Sequence, residues 1–553
     1  MTTQTERART AWQTGLQMLR EQGPGQIQFW FIALAVGAVA GGAAVLFRMS
    51  VNALQQLVYG TEDVRMLHTF ADSLPWYWVL IIPIIGGLIV GLLLHYFTPD
   101  GRARSVAEVI EGAAMREGRV ERKAGLVSAL ASMITLGSGG SSGREGPVVH
   151  LAAVISTWVS DKINATGVTA RDLLGCATAA AVSASFNAPI AGALFALEVV
   201  LRHFAIHAFA PIVIASVAGT VVSRLAFGDV VEFQLETENM LEFYAELPAF
   251  LLLGLICGLV AAALMRSIFF ADDVANRAIT RIGCPGWLRP TLAGGILGLV
   301  AIWYPHIIGV GYETTFAALQ GEIGLREVIV FTLVKVFAVA VTLGGRMGGG
   351  VFSPSLMVGA LTGLAFGLIA TSLLPAVSSQ PAIYALAGMG AVSAAVLGAP
   401  ISTTLIVFEL TGDWQIGIAV MLAVSLATSI GSKLVSRSFF LTQLERRGIY
   451  LAAGPHAYLL ALYKVSSVMR PVDAEYGADA QVCEAFIKEG VYLNESATLE
   501  RAMPMFDSNQ RPFIPVVRQG AGDILELRGA LFQVDALRVY NQALAKVSEE
   551  EHG

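Results

Sequence analysis

The pentapeptide Gly143-Arg144-Glu145-Gly146-Pro147 sets one acid among glycines, directly ahead of the apolar run Val148–Val159. Glycine lets the chain turn sharply and lets an ion approach the backbone. Proline suits the first turn of a helix. The spacing predicts that Glu145 lies at or beside a helix N-terminus within an apolar layer. Such a terminus presents free N–H groups, Gly146 included, and the positive end of the helix dipole, both of which attract anions. A carboxylate is itself an anion. Glu145 is therefore expected to fill an anion site when ionised and to vacate it when protonated, which makes it a gate and a carrier of protons. An ionisable residue inside a membrane segment is a functional candidate by default. The plain alternative is a structural ion pair between Glu145 and Arg144.

A second break, Gly348-Gly349-Gly350-Val351-Phe352-Ser353-Pro354, has the same design without an acid. The backbone N–H groups of Val351 and Phe352 are expected to receive an anion at another helix N-terminus, the alternative being a flexible loop. A third candidate is Arg102–Glu108, ahead of a short helical stretch. There Ser105 suits the cap position, and its hydroxyl can donate either to the helix or to an anion.

These residues need elements to hold them. Long apolar runs occur at Phe29–Val51, Tyr77–Leu94, Leu251–Met265, Pro290–Tyr304, Val328–Leu343 and Ile416–Leu434. A helix of about 20 mostly apolar residues crosses a bilayer. Glycine and proline interrupt many such segments. A broken helix in lipid leaves backbone groups unsatisfied unless they are buried in protein or line a cavity. Paired breaks in matching halves therefore point to a substrate site. Matching halves are visible: Val182–Glu198 (VSASFNAPIAGALFALE) and Ser393–Glu409 (SAAVLGAPISTTLIVFE) align on Pro189 and Pro400. Each proline follows an alanine and precedes a glutamate by nine residues. Upstream of each lies one of the glycine-rich breaks, Gly137–Pro147 and Gly344–Pro354. An inverted repeat of broken helices is the expected fold.

The bulk composition agrees. Of 553 residues, 55% are hydrophobic and only 14% charged, against roughly 25% charged in soluble domains. Mean hydropathy is +0.64. Three zones are expected: a polar N-terminal arm over 1–26, a transmembrane domain over 27–449, and a soluble tail over 450–553. The arm lacks the apolar core of a secretory signal, so insertion would rest on the first membrane helix. Arg437, Arg446 and Arg447 at the handover, and the run Arg102, Arg104, Arg116, Arg119, Arg122 and Lys123, predict cytoplasmic faces by the positive-inside rule. Cys176, Cys257, Cys284 and Cys483 are scattered without metal spacing and read as small apolar residues. No basic tract suggests nucleic acid, and no cofactor is implied.

These motifs, in this order and spacing, resemble the CLC family of chloride channels and chloride/proton exchangers over nearly the whole membrane zone. GREGP at Gly143–Pro147 is similar to the family's gating-glutamate motif, and GGVFSP at Gly349–Pro354 to its second anion-site motif. FNAPIAGALFALE at Phe186–Glu198 and FELTG at Phe408–Gly412 match as well. The resemblance implies an all-α polytopic membrane protein, transporting chloride and similar anions with protons, built as a homodimer in the plasma membrane with both termini cytoplasmic. Three departures bear on the site. The family's serine motif lands its serine on Arg104, with Ser105 next to it, so both stay candidate ligands. The internal proton glutamate of many exchangers falls on Val199, as in channel members, leaving Glu198 and His203 as substitute relays or as packing residues. The pore-lining tyrosine falls on Phe440, which keeps the ring and loses the hydroxyl. Exchange and passive channel conduction both remain open. Intact GREGP argues against fluoride specialisation, and nitrate and bromide are plausible alternatives to chloride.

In the tail, Val465–Met469, then Val491–Leu493, a helical Ala497–Phe506, Phe513–Val517, Leu525–Gly529 and a helical Phe532–Leu544 predict strand, helix, strand, strand, helix, with a degenerate stretch around Val465–Gly490. This is similar to a CBS module, a small α/β unit for which the resemblance implies dimer stabilisation or adenine-nucleotide sensing. A membrane enzyme is the rival reading, since Gly139–Gly143 fits the G-x-S-x-G pattern. That pattern needs a strand–turn–helix and a base, whereas here it lies between apolar helical stretches. His203 and His207 lack the intervening glutamate of a zinc motif, and no Walker A run occurs.

Overall fold

The computed structural model describes residues 25–553 except 62, 64, 65, 166, 205, 229–242, 376, 377, 412, 413, 436, 450, 452–459, 461, 462, 520–524 and 553. The N-terminal arm up to residue 24 and Gly412 of FELTG lie outside the described residues. The first half runs α1 (Gln26–Tyr59), α2 (Leu67–Ser73), α3 (Trp76–Phe97), α4 (Val106–Met115), α5 (Arg122–Gly137), α6 (Glu145–Lys162), α7 (Val168–Phe186), α8 (Pro189–Phe195) and α9 (Ile206–Phe227). A π-helical turn, Ala196–Leu201, continues α8. The second half runs α10 (Phe243–Ile282), α11 (Arg289–Ala301), α12 (Tyr312–Gln320), α13 (Leu325–Gly344), α14 (Phe352–Leu373), α15 (Pro381–Leu397), α16 (Pro400–Thr411) and α17 (Trp414–Val435), and α18 (Phe439–Glu445) leads towards the tail.

Among the described residues, seven helices are long and apolar enough to cross a membrane: α1, α3, α9, α10, α13, α14 and α17. Two of these, α9 and α14, were not among the six runs marked in the sequence. The run Pro290–Tyr304 is a correction in the other direction. Its helix stops at Ala301 after 13 residues, which at 1.5 Å per residue falls short of a bilayer core. Glycines let the inner helices meet closely. At the crossing of α14 and α15, a Cβ on Gly359 or Gly388 would collide with the other's carbonyl. Small residues at such crossings give packing in lipid, where burial from water supplies no drive.

The repeat is visible in reciprocal contacts. Glu198, closing the first half's motif, accepts hydrogen bonds from the N–H groups of Ile401 (3.0 Å) and Ser402 (2.8 Å) at the start of α16, and from the Ser402 hydroxyl. Glu409, its counterpart, accepts from Ile190 (2.9 Å) and Ala191 (2.8 Å) at the start of α8. Each carboxylate satisfies N–H groups that a helix start leaves orphaned and sits at the positive end of the other repeat's helix. Glu198 thus takes the packing role, and His203, whose Nδ1 lies 3.0 Å from the Leu201 carbonyl, faces backbone.

The tail carries a sheet of order β1-β4-β3-β2, with β1 Arg470–Pro471, β2 Leu493–Asn494, β3 Phe513–Gln519 and β4 Leu525–Phe532. β3 pairs antiparallel with β4 and parallel with β2. Helices α19 (Ala480–Lys488), α20 (Leu499–Asn509) and α21 (Gln533–His552) accompany it. Ahead of the sheet, Val465–Ser467 forms a 3-10 turn, and pairing starts at Arg470. The tail docks on the helical body through Glu117 with Ser496 and through Glu500 with Arg171 (3.6 Å) and Arg202 (3.8 Å).

Candidate anion-binding site

The two glycine-rich breaks meet at the centre of the helical body. α5 ends at Gly137 and α6 begins at Glu145; α13 ends at Gly344 and α14 begins at Phe352. Gly143 and Gly350, at equivalent places in the two breaks, exchange N–H···O bonds of 2.7 Å in both directions. Side chains satisfy further backbone groups there. Ser132 Oγ accepts from Gly349 N–H (3.0 Å), and Thr342 Oγ1 accepts from Ser141 N–H (3.1 Å). Interrupted backbone is tolerated at this depth because protein supplies its partners.

The result is two helix N-termini facing each other. Glu145 is the first residue of α6 and is 2% exposed. Its carboxylate crosses to the start of α14, accepting from Ser353 N–H at 3.3 Å and from the Ser353 hydroxyl. Arg144 packs beside it, with Nε 3.8 Å from a Glu145 oxygen, Nη2 3.3 Å from the Ser185 carbonyl, and its guanidinium over the Tyr312 ring. The ion pair is therefore present together with the docking of the carboxylate on Ser353, and neither excludes the other.

A constriction of about 10 Å³ surrounds Glu145, lined by Val106, Gly146, Val149, Val182, Phe195, Gly350, Val351, Phe352 and Phe440. Phe440 and Val351 also line a cavity of about 320 Å³ that includes Ser105, Arg102, Arg346, Arg446 and Arg447, with Asp272 and Asp273. Arg144 lines a separate cavity of about 260 Å³ with Arg48, His68, His306, Tyr312 and Glu313. Arginines and acids line both cavities; the constriction around Glu145 shares Gly350, Val351 and Phe440 with the larger one, and the neighbouring Arg144 lines the smaller.

The structure brings together Ser105, Arg144, Glu145, Gly146, Val351, Phe352 and Phe440. Ser105 Oγ lies so close to Gly146 that a Cβ there would collide with it. The Ser105 N–H, rather than its hydroxyl, engages the helix, donating to Glu108 at 2.6 Å. Arg104 is not brought in. Its guanidinium pairs with Asp100 (2.9 Å) and Glu121 (3.5 Å), and it lines neither cavity. Val199 is buried in the π-helical turn, one place past Glu198. Sequence reasoning passed over Ser353. The available signal was its position, since it stands where the first repeat has Gly146.

Residues 86–432 match the family described as voltage gated chloride channel. The chain is similar to a ClcB-like protein of Ralstonia nicotianae, 32% identical over 71% of this chain and 91% of the relative. It is also similar to the H(+)/Cl(-) exchange transporter ClcA of Vibrio cholerae, 30% identical over 75% of this chain and 89% of the relative. The solved structure of a slow cyanobacterial Cl-/H+ antiporter superposes with a TM-score of 0.66 at 21% identity, covering 77% of this chain and 98% of that one.

Proposed function

The chain belongs to the voltage-gated chloride channel (CLC) family, and on that premise we propose that it carries chloride across the membrane with Glu145 as a protonatable gate, in exchange for protons. It is a transport protein and not an enzyme. The observation that carries the reading is the Glu145 carboxylate docked on the Ser353 donors, beside Arg144 of one cavity and beside Val351 and Phe440 of the larger, arginine-rich one. There an ionised carboxylate blocks the place an anion would take, and a protonated one loses the attraction that holds it. Val351 and Phe352 at the α14 terminus, Gly146 at the α6 terminus and Ser105 supply the surrounding site, and Phe440 narrows its mouth. Exchange is supported by the likeness to the Vibrio cholerae transporter.

A second reading, a passive gated channel, is favoured by one residue: apolar Val199 where many exchangers carry an internal proton glutamate. We further infer a homodimer in the plasma membrane with the tail cytoplasmic. The arginines of the larger cavity support that orientation. The tail's small mixed sheet and helices support the CBS-like reading.

Purified protein in liposomes, under a chloride gradient with potassium and valinomycin setting the voltage, tests the choice. Exchange predicts uphill proton movement that Glu145→Ala abolishes. Chloride flux without uphill protons makes the protein a channel.

A further inference from the structure

α14 carries several hydroxyl residues, and all but one donate to a carbonyl of their own helix, Ser355 also reaching Ser393 Oγ of α15 at 3.1 Å. Ser355 donates to the Phe352 carbonyl (2.6 Å), Thr362 to Val358 (2.7 Å), Thr371 to Gly367 (2.9 Å) and Ser372 to Ile369 (2.8 Å). Ser353 alone among these described hydroxyls gives its proton to an acid from another helix, Glu145. Its N–H adds a bond to the second carboxylate oxygen at 3.3 Å. Both side chains are almost fully buried, at 3% and 2% exposure, so bulk water does not stand in for either donor.

We propose that Ser353 positions the gate: its hydroxyl, together with its backbone N–H, holds the ionised Glu145 carboxylate at the N-terminus of α14 and so sets how much acid is needed to open the path. The inference rests on the reading of Glu145 as the gate. A hydrogen bond to an ionised acceptor is roughly twice as strong as one between neutral groups. The Ser353 hydroxyl therefore favours the ionised, docked carboxylate over the protonated one. Other charged and titratable groups lie around it. Arg144 flanks the carboxylate and stacks on Tyr312 of α12. Glu108 of α4 pairs with Arg447, and Lys335 of α13 donates to the Ile307 and Gly309 carbonyls. His150 lies a turn further along α6 against Gly125. α7, α8 and α18 face the constriction with Val182, Phe195 and Phe440.

The test is chloride efflux from liposomes across a pH series for the full chain and for Ser353→Ala and Ser353→Cys. Loss of the hydroxyl makes the docked ionised state less favourable. The midpoint of acid activation is then expected to move to higher pH, by about one unit for alanine and by less for cysteine, a weaker donor. A midpoint that stays put, or moves to lower pH, in either folded variant overturns the inference, including the case where only thermal stability falls. Glu145→Gln in the same assay separates the two claims. Persistence of wild-type pH dependence there removes the gate itself. Its loss there, with an unmoved Ser353→Ala midpoint, removes only the role of Ser353.

Discussion

The proposed gate carboxylate rests against Gly143. A Cβ at this position would come within 2.7 Å of Glu145 Oε2, 3.1 Å of Ser353 N and 3.2 Å of Pro354 Cδ. The first neighbour is the free end of a flexible side chain and can be pushed aside, while the other two need give only slightly. Gly143→Ala is therefore expected to fold and to displace Glu145 from its donors, raising chloride efflux at neutral pH several-fold. Unchanged neutral-pH efflux in a folded variant would contradict the docked position of the carboxylate. The contrast between Arg104 and Ser105 is also a matter of single residues. The chain is extended at Ser105 (φ −146°, ψ −151°), and side chains of successive extended residues point to opposite faces. One of the pair faces the site and the other faces Asp100 and Glu121. Residue types alone could not decide which, because both serine and arginine can attract an anion.

At the scale of elements, the reciprocal carboxylates of Glu198 and Glu409 join the two repeats, each capping the helix of the other. Charge-assisted bonds of this kind contribute about 1.5–3 kcal/mol each. Glu198→Ala and Glu409→Ala should each lower the Tm by similar amounts, with the proton-to-chloride ratio unchanged. Loss of proton movement in Glu198→Ala at an unaltered Tm would instead make it a relay. The paired prolines and glutamates were legible in the sequence as a repeat, because both copies obey the same local rules for starting a helix. The breaks were legible for the same reason, and with them Glu145, Val351 and Phe352. Ser353 was not legible as a partner of the gate, because the acid it serves is 208 residues away and only tertiary packing brings the two termini together.

At the scale of the molecule, the tail touches the transport body at a buried acid. Glu500, in the first turn of α20, lies between Arg171 and Arg202 at distances too long for close hydrogen bonds. Burial pushes its carboxyl above the ordinary range, and the two arginines pull it only part of the way back. A raised value in the docked state means that docking takes up a proton. Its contribution is fully present below the ordinary carboxylate range and is lost as pH rises through the raised value. Hydrogen exchange of α20, corrected for intrinsic rates, should show stronger protection at acid pH than at neutral pH in the wild type, and no such difference in Glu500→Gln. Equal protection at both values in the wild type would contradict the direction. Arg202 ends the turn that begins beside Phe195 of the constriction, so this contact places the tail within one short element of the constriction around Glu145.

The account turns on one carboxylate, and the most direct measurement is chloride efflux from liposomes across a pH series for the wild type and Glu145→Gln. The wild type should be activated by acid, and Glu145→Gln should be open at every pH with a flat profile. Acid activation surviving unchanged in Glu145→Gln would show that protons act elsewhere and that Glu145 is not the gate.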